Sequence, residues 1–312
     1  MTVRMKDIAR DLGISVVTVS KVLHNHGDIS EETRKRVQRR IRELNYRPNL
    51  AAQALATGRT STIGLIVPDP SHPFFGDVTQ ALIRALRKMS YSLLISSSEE
   101  DPELERQEME ELLARNVDAL VVASVQRNAE SFRRIEENRT PYVLLDRQFT
   151  GLAANFVGVS DEAAGDLATR HLMDAGCRRI AHIGGPRASG YEAMRKVLAT
   201  DPRPDGVFCS SDPVAVGAMK AVLDAGLRIP EDVALIGCGN AHYGDLLRVP
   251  LSSVDRNSAA TGERAAQLAL SLVRARDRVE PQSILLEPRL VVRASSARSG
   301  LRTASAPHSP GE

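Results

Sequence analysis

Two periodicities divide the chain. Up to about residue 60 apolar positions recur at helical spacing, and beyond it short apolar runs alternate with amphipathic stretches. Ile8, Ala9 and Leu12 share one helical face, and Gly13 ends that helix. Ser15 caps the next segment, Val16 to Leu23, in which Val19, Val22 and Leu23 face the same way. Ser30 caps a third, Glu31 to Leu44, whose Val37, Ile41 and Leu44 close a small core. Helix, glycine-containing turn and second helix make a helix-turn-helix. Its second helix leaves Val16, Val17, Ser20 and Lys21 free to enter a major groove about 12 Å wide. Leu50 to Ala56 predicts one more short helix, too short to be stable alone in water.

From Thr62 the pattern changes. Ile63–Val67, Ser92–Ile95, Ala119–Val122, Tyr142–Leu145, Ile180–Ile183, Gly206–Cys209 and Val233–Ile236 read as buried strands. Amphipathic helices separate them near 75–89, 104–115, 129–138, 161–175, 191–199 and 213–225. Continuous apolar strands with helical crossovers imply parallel sheets covered on both faces. The fold class is therefore α/β, an all-α headpiece followed by two Rossmann-like lobes with a cleft between them.

Charge sharpens the division. Residues 1–60 hold 12 Lys/Arg against 6 Asp/Glu, while the remaining 252 hold 29 against 33. A basic head on a slightly acidic body is the footprint of a nucleic-acid-binding domain, although a solvated basic helix (Arg34 to Arg42) would supply half of it. Cys177, Cys209 and Cys238 lie far apart and form no CxxC pair, which argues for reduced, buried thiols and against disulfides or zinc. Met1 to Asp7 lacks the apolar core of a signal peptide, and no apolar run approaches the roughly 20 residues of a membrane span. A cytoplasmic protein is expected, nucleoid-associated when bound to DNA.

Catalytic motifs are wanting, and no enzyme, cofactor or metal site is expected. Gly237-x-Gly239 follows a strand, but His242 stands where a dinucleotide fingerprint needs its third glycine. There is no Walker lysine motif, GxSxG or HExxH, and His24-Asn25-His26 reads as a polar loop.

Several blocks resemble the lac repressor/galactose repressor (LacI/GalR) family of bacterial transcription regulators. In the head these are Lys6-Asp7-Ile8-Ala9, Gly13-Ile14-Ser15, Thr18 to Leu23, Ser30 to Arg34 and Leu44 to Asn49, colinear throughout. The resemblance implies base or groove contacts from Val16, Val17, Lys21, Ala52 and Leu55, the last a minor-groove wedge. It implies phosphate contacts from Ser15, Thr18, Ser20, Ser30, Thr33, Tyr46 and Asn49. Val16 and Val17 offer no hydrogen bonds and read only thymine methyls or shape, which makes Lys21 the polar reader.

The likeness continues through Val67-Pro68-Asp69, His72 to Phe75, Leu145-Asp146-Arg147, Ile183 to Pro186, Pro204 to Phe208 and Asp212. It implies lobes like those of type I periplasmic binding proteins, closing on a small molecule. The effector residues it implies are Asp69, Phe74, Phe75, Asp146, Phe208, Asp212 and Asn240. Aromatic rings and carboxylates suit a carbohydrate or nucleoside-like ligand. Partners are then an operator DNA duplex, a small effector and a second copy of the chain, with no membrane. The implied layout is a headpiece at 1–48, a hinge helix and linker at 49–60, an effector-binding and dimerisation body at 61–293, and a disordered tail at 294–312. Lobe 1 takes about 61–157 and 256–284, lobe 2 about 158–255 and 285–293.

Two departures stand out. Gly184-Gly185-Pro186 runs almost directly into Gly190-Tyr191-Glu192, so the second lobe lacks one helix-strand unit with its effector-contacting arginine. Gly239 stands where many relatives carry an effector-binding Asp. A lobe 2 less stable than lobe 1 and a weak response to simple sugars are expected. The function implied is a sequence-specific repressor acting as a homodimer on a palindromic operator. The alternative is a small-molecule binding protein with an altered effector site and no ligand-controlled regulation, which the basic head opposes. A nucleotide-dependent enzyme on Rossmann lobes is opposed by the missing phosphate-binding loops.

Overall fold

The computed structural model describes residues 3–23, 26–46, 54–55, 57–149, 151–185, 189–275 and 280–298. The chain divides into two compact units, Met1–Thr60 and Ser61–Glu312. Among the described residues no helix is long and apolar enough to cross a membrane.

The first unit holds α1 (Met5–Leu12), α2 (Val16–Leu23) and α3 (Glu31–Glu43). Ile8, Ala9, Val19, Val22 and Val37 form its buried centre, ringed by Leu12, Ile14, Leu23, Ile41, Leu44 and Tyr46. Gly13 ends α1 at φ +67°, a left-handed turn that favours glycine, and its N–H returns to the Ala9 and Arg10 carbonyls. Ser15 Oγ accepts from Thr18 N at 3.0 Å and Ser30 Oγ from Thr33 N at 3.3 Å, capping α2 and α3. Part of the basic run on α3 works inside the head. Arg40 grips Asp11 at 2.5 Å and Arg36 donates to the Leu12 carbonyl at 3.2 Å. Of the hinge segment 49–60, residues 49–53 and 56 lie outside the described residues, and so do Ala52 and Asn49.

The second unit runs β1 (Thr62–Val67), α4 (Pro73–Lys88), β2 (Ser92–Ser97), α5 (Pro102–Ala114), β3 (Ala119–Val122), α6 (Glu130–Glu137), β4 (Tyr142–Leu145) and β5 (Asn155–Val159). It continues with α7 (Asp161–Asp174), β6 (Ile180–Ile183), α8 (Gly190–Leu198), β7 (Gly206–Cys209), α9 (Asp212–Asp224), β8 (Ala234–Cys238) and β9 (Ser252–Asp255). It ends with α10 (Ser258–Arg274), β10 (Ser283–Leu286) and β11 (Arg289–Val291). Lobe 1 is an all-parallel sheet of order β10-β5-β4-β3-β1-β2. Lobe 2 has order β11-β9-β8-β7-β6, with β11 antiparallel to β9. The chain crosses between lobes after β5, after β9 and between β10 and β11.

Coverage of the two sheets differs. In lobe 1, α4 and α10 bury one face through Phe74, Val78, Leu82, Ala265 and Ala269. There α5 and α6 bury the other through Met109, Leu112, Phe132 and Ile135. In lobe 2, α8 and α9 cover one face, with Met194, Ala218 and Val222 over Ile183, Val207 and Leu235. Among the described residues the opposite face receives one helix, α7, through Ala164, Ala168 and Leu172, with Ile180 and Phe208 left half-buried. No helix or strand among the described residues separates β6 from α8, and β6 is the sheet edge.

Two readings from sequence are corrected. Strands β5, β9, β10 and β11 and helix α10 were absent from the periodicity. The tail does not loosen at residue 294, because Ser295 and Ser296 are fully buried. Residues 299–312 lie outside the described residues. All three cysteines are free and buried, and burial pushes the Cys209 and Cys238 thiols up to about 12.

Candidate nucleic-acid face and ligand cleft

In the head, α2 turns Val19 and Val22 inward, and helical spacing then puts Val16 and Val17 outward at 42% and 63% exposure. Lys21 lies on the same helix and pairs with Asp28, whose carboxyl it holds below the ordinary range. Ser15 and Thr18 bond each other's hydroxyls at 2.9 Å, as do Ser30 and Thr33, so these four are committed to capping in the DNA-free chain. Tyr46 packs against the head core and burial raises its phenol pKa. Leu55 is 90% exposed, an apolar side chain with no packing of its own. The α2 face thus joins two apolar side chains, one cation and a capped helix N-terminus, which suits a groove lined by phosphates.

In the body a cavity of about 1210 Å³ opens between the lobes at the C-terminal ends of their strands. His72, Phe74, Phe75, Asp146, Phe208 and Arg256 are among its lining. Phe74 and Phe75 meet edge to face at 5.2 Å and are over nine-tenths buried, so each packs in the lobe 1 core while bordering the cleft. Arg256, at the crossover from β9 to α10, reaches Asp146 of lobe 1 at 2.8 Å and Asp161 of lobe 2 at 2.9 Å. Its guanidinium carbon lies 5.0 Å from the Phe74 ring centroid. Burial works against its charge, yet Asp146 and Asp161 keep its pKa above the ordinary value. Burial lowers the His72 pKa below its ordinary value, against the pull of Asp69, Asp146 and Asp212. His72 Nδ1 and Arg256 Nε are buried without a hydrogen-bond partner, a donor or acceptor left over for a ligand.

Four of the seven expected effector residues come together here: Phe74, Phe75, Asp146 and Phe208. The structure does not bring the other three to the cleft lining. Asp69 is exposed, its Oδ1 accepting from Ser71 N and Oγ at 2.8 and 2.6 Å in a local turn. Asp212 is buried at the start of α9 and accepts from Ala241 N at 2.5 Å and Ser253 Oγ at 2.6 Å. Asn240 faces Asp255 and Arg293 at 3.2 and 2.8 Å. Sequence reasoning passed over Arg256, Arg147, Asp161 and the imidazole of His72. Arg256 carried a weak signal, since it follows a strand end, but Ser252-Ser253-Val254-Asp255 did not read as a strand.

A helix-turn-helix head with exposed apolar side chains on α2 and a two-lobed body with a cleft between its lobes define a DNA-binding transcription regulator. Three known families match the chain. "Bacterial regulatory proteins, lacI family" covers residues 4–49. "Periplasmic binding proteins and sugar binding domain of LacI family" covers 60–197, and "Periplasmic binding protein-like domain" covers 185–296. The chain belongs to the lacI family of bacterial regulatory proteins. It is 30% identical to the ribose operon repressor of Halalkalibacterium halodurans over 301 residues, 86% of this chain and 90% of that one. It is 27% identical to the HTH-type transcriptional repressor PurR of Mannheimia succiniciproducens over 327 positions, 93% of this chain and 98% of the relative. Among solved structures, the lac repressor dimer bound to operator and the anti-inducer ONPF aligns with a TM-score of 0.84 at 22% identity, covering 95% of this chain and 99% of that one, and supports the fold. The transcriptional regulator CelR-cellobiose complex aligns at 0.69 and 26%, covering 94% and 99%.

Proposed function

We propose that the chain is a cytoplasmic repressor that binds a palindromic operator as a homodimer and answers to a small polyhydroxylated effector, sugar or nucleoside-like. One observation carries the reading: a single chain bears both the bare α2 face and a cleft whose buried His72 Nδ1 and Arg256 Nε have no partner. Two heads on a twofold dimer read two half-sites, which is why the operator is a palindrome. Val16, Val17 and Lys21 read base edges, Ser15, Thr18, Ser20, Ser30, Thr33, Tyr46 and Asn49 hold phosphates, and Ala52 and Leu55 act in the minor groove. Phe74, Phe75, Asp146, Phe208 and Arg256 hold the effector. Asp146 and Asp161 belong to different lobes, and Arg256 joins them, so a ligand that competes for the guanidinium changes how the lobes close. The names of the relatives, ribose operon repressor and PurR, support this class of effector. The test is a mobility shift of the purified chain on palindromic promoter fragments against scrambled duplexes. Specific retardation as a dimer supports the reading, and equal affinity for both overturns it.

A further inference from the structure

We propose that the cleft extends sideways into an annexe that receives the flat, aromatic arm of a two-part effector. Arg256, Asp146 and His72 hold its hydroxylated head. The inference rests on the ligand-binding half of the function proposed above.

The annexe follows from the one-helix cover on lobe 2. Side chains alternate along β6, so Ala181 and Ile183 join the core beneath α8 and α9, while Ile180 and His182 point to the face on which α7 is the one helix among the described residues. Register places His182 opposite Phe208 on β7, and their rings tilt together at 5.1 Å and 40°. His182 is exposed, and Ile180 and Phe208 are half-buried. Across from them stands the flank of α7, where Gly165 and Thr169 present little or no side chain. A Cβ added at Gly165 meets nothing within 4 Å. These residues line the same cavity as His72, Asp146 and Arg256, so annexe and cleft are one continuous space.

The volume decides what fits. At about 1210 Å³ the cavity exceeds the roughly 300–1,000 Å³ of ordinary small-molecule pockets. A lone monosaccharide engaging the charged end leaves the apolar end wet. The two ends also differ in chemistry: one holds Asp146, Arg256 and Arg147, the other Ile180, His182 and Phe208, with Ala164 and Gly165 behind. Aromatic surfaces of this kind favour offset or edge contact with another ring. A ligand with polar hydroxyls at one end and a planar ring at the other satisfies both.

Calorimetry of the full chain tests this with matched pairs: methyl riboside against adenosine, and methyl glucoside and methyl galactoside against their 4-nitrophenyl counterparts. The expected result is at least one pair in which the ring-bearing member binds tenfold tighter or more. Gly165→Leu fills the annexe from α7 and should abolish that gain while leaving the methyl glycoside within twofold. Thr169→Leu, on the exposed side of the same helix, repeats the test should the first variant fold poorly. Equal affinities within every pair overturn the annexe and leave the cleft as a simple sugar site. A gain that survives both variants overturns it as well. If no probe binds while specific operator retardation persists, the annexe and the effector half of the proposed function fail together and the DNA-binding half stands.

Discussion

Replacing Arg256 by methionine removes a charge while keeping much of the stem that packs in the cleft. Its guanidinium meets two carboxylates of unequal exposure: Asp146 keeps 11% of its side-chain surface and Asp161 keeps 82%. The exposed contact contributes about 0–1 kcal/mol at most. The buried one matters more, because removing one partner of a buried pair typically costs about 3–5 kcal/mol by leaving the other charge uncompensated. The residual exposure of Asp146 lets water return, and the Phe74 cation–π contact is also lost, which brings the expectation for Arg256→Met to about 2–4 kcal/mol. Asp146→Asn in the Arg256→Met background should recover at least half of it, since a neutral amide no longer demands a cation. Urea unfolding of the four members of the cycle, followed by circular dichroism, gives the coupling directly. A single-variant loss below about 0.5 kcal/mol, or no recovery in the double variant, would refute the buried pair as the tie at the cleft floor.

Three further outcomes are expected. Lys21→Ala should cost about 1–3 kcal/mol at one base position per half-site, while Asp28→Asn, which releases the Lys21 ammonium, should tighten operator binding; a loss spread evenly over all sequences in shift titrations would show a phosphate contact instead. Gly262→Ala places a Cβ 2.3 Å from the Val78 carbonyl oxygen and 3.1 Å from Leu82 N, so thermal melting should report a loss of about 1–3 kcal/mol where α10 crosses α4, and an unchanged melt would contradict that close approach. Burial pushes the Glu105 carboxyl above its ordinary 4.5 although Ser124 and Val125 bond to it, so the folded chain holds that proton more tightly than the unfolded one. Its contribution is therefore complete below pH 4.5 and declines as pH rises through the raised value, and the stability–pH profile of Glu105→Gln should lack that slope.

The parts of this molecule that were legible in the sequence are those whose burial is carried by apolar side chains. The α2 segment shows its inward Val19 and Val22 and its outward Val16 and Val17 directly, and the four-residue runs of β3 and β4 are buried along their whole length. Strand β9 hid because two of its buried residues are serines: Ser252 Oγ donates to the Arg293 carbonyl at 2.9 Å and Ser253 Oγ to Asp212 at 2.6 Å. Those partners lie about 40 residues away, and periodicity cannot see them. Helix α10 hid for another reason. Its buried face is largely Thr261, Gly262, Ala265, Ala266 and Ala269, small residues chosen for close approach to α4 and weakly apolar by composition. The cleft suffered the same loss. Asp146 and Arg256 are 110 positions apart, and only the return of the chain to lobe 1 after β9 brings them to 2.8 Å. Asp69, Asp212 and Asn240 have the right chemistry at strand ends, but other protein groups, near in sequence for Asp69 and distant for the other two, had already taken their polar atoms.

The residues just beyond β11 bear on lobe 2. Ser295 N donates to the Pro250 carbonyl at 2.9 Å, and its own carbonyl accepts from Leu235 N at 2.8 Å. Its hydroxyl accepts from Ser252 N at 2.8 Å and donates to the Leu235 carbonyl at 2.7 Å. Ser296 Oγ meets Ser252 Oγ at 2.7 Å and His171 Nε2 at 2.8 Å, tying in α7. Arg298 then reaches the carbonyls of Pro230 and Asp205 at 2.9 and 2.6 Å. The segment therefore straps β8, β9, α7 and the approach to β7, all in the lobe whose second face has one helix. With both serines fully buried and each hydrogen bond contributing about 0.5–1.5 kcal/mol net, a chain ending at Arg293 should lose about 3 kcal/mol or more from lobe 2. Native-state hydrogen exchange separates this from a general loss, because the Leu235 and Ser252 amides should open sooner while β1, β3 and β4 of lobe 1 keep their protection. If the chain ending at Arg293 protects Leu235 and Ser252 as well as the full-length protein does, the strap is ornamental and lobe 2 stands on α7, α8 and α9 alone.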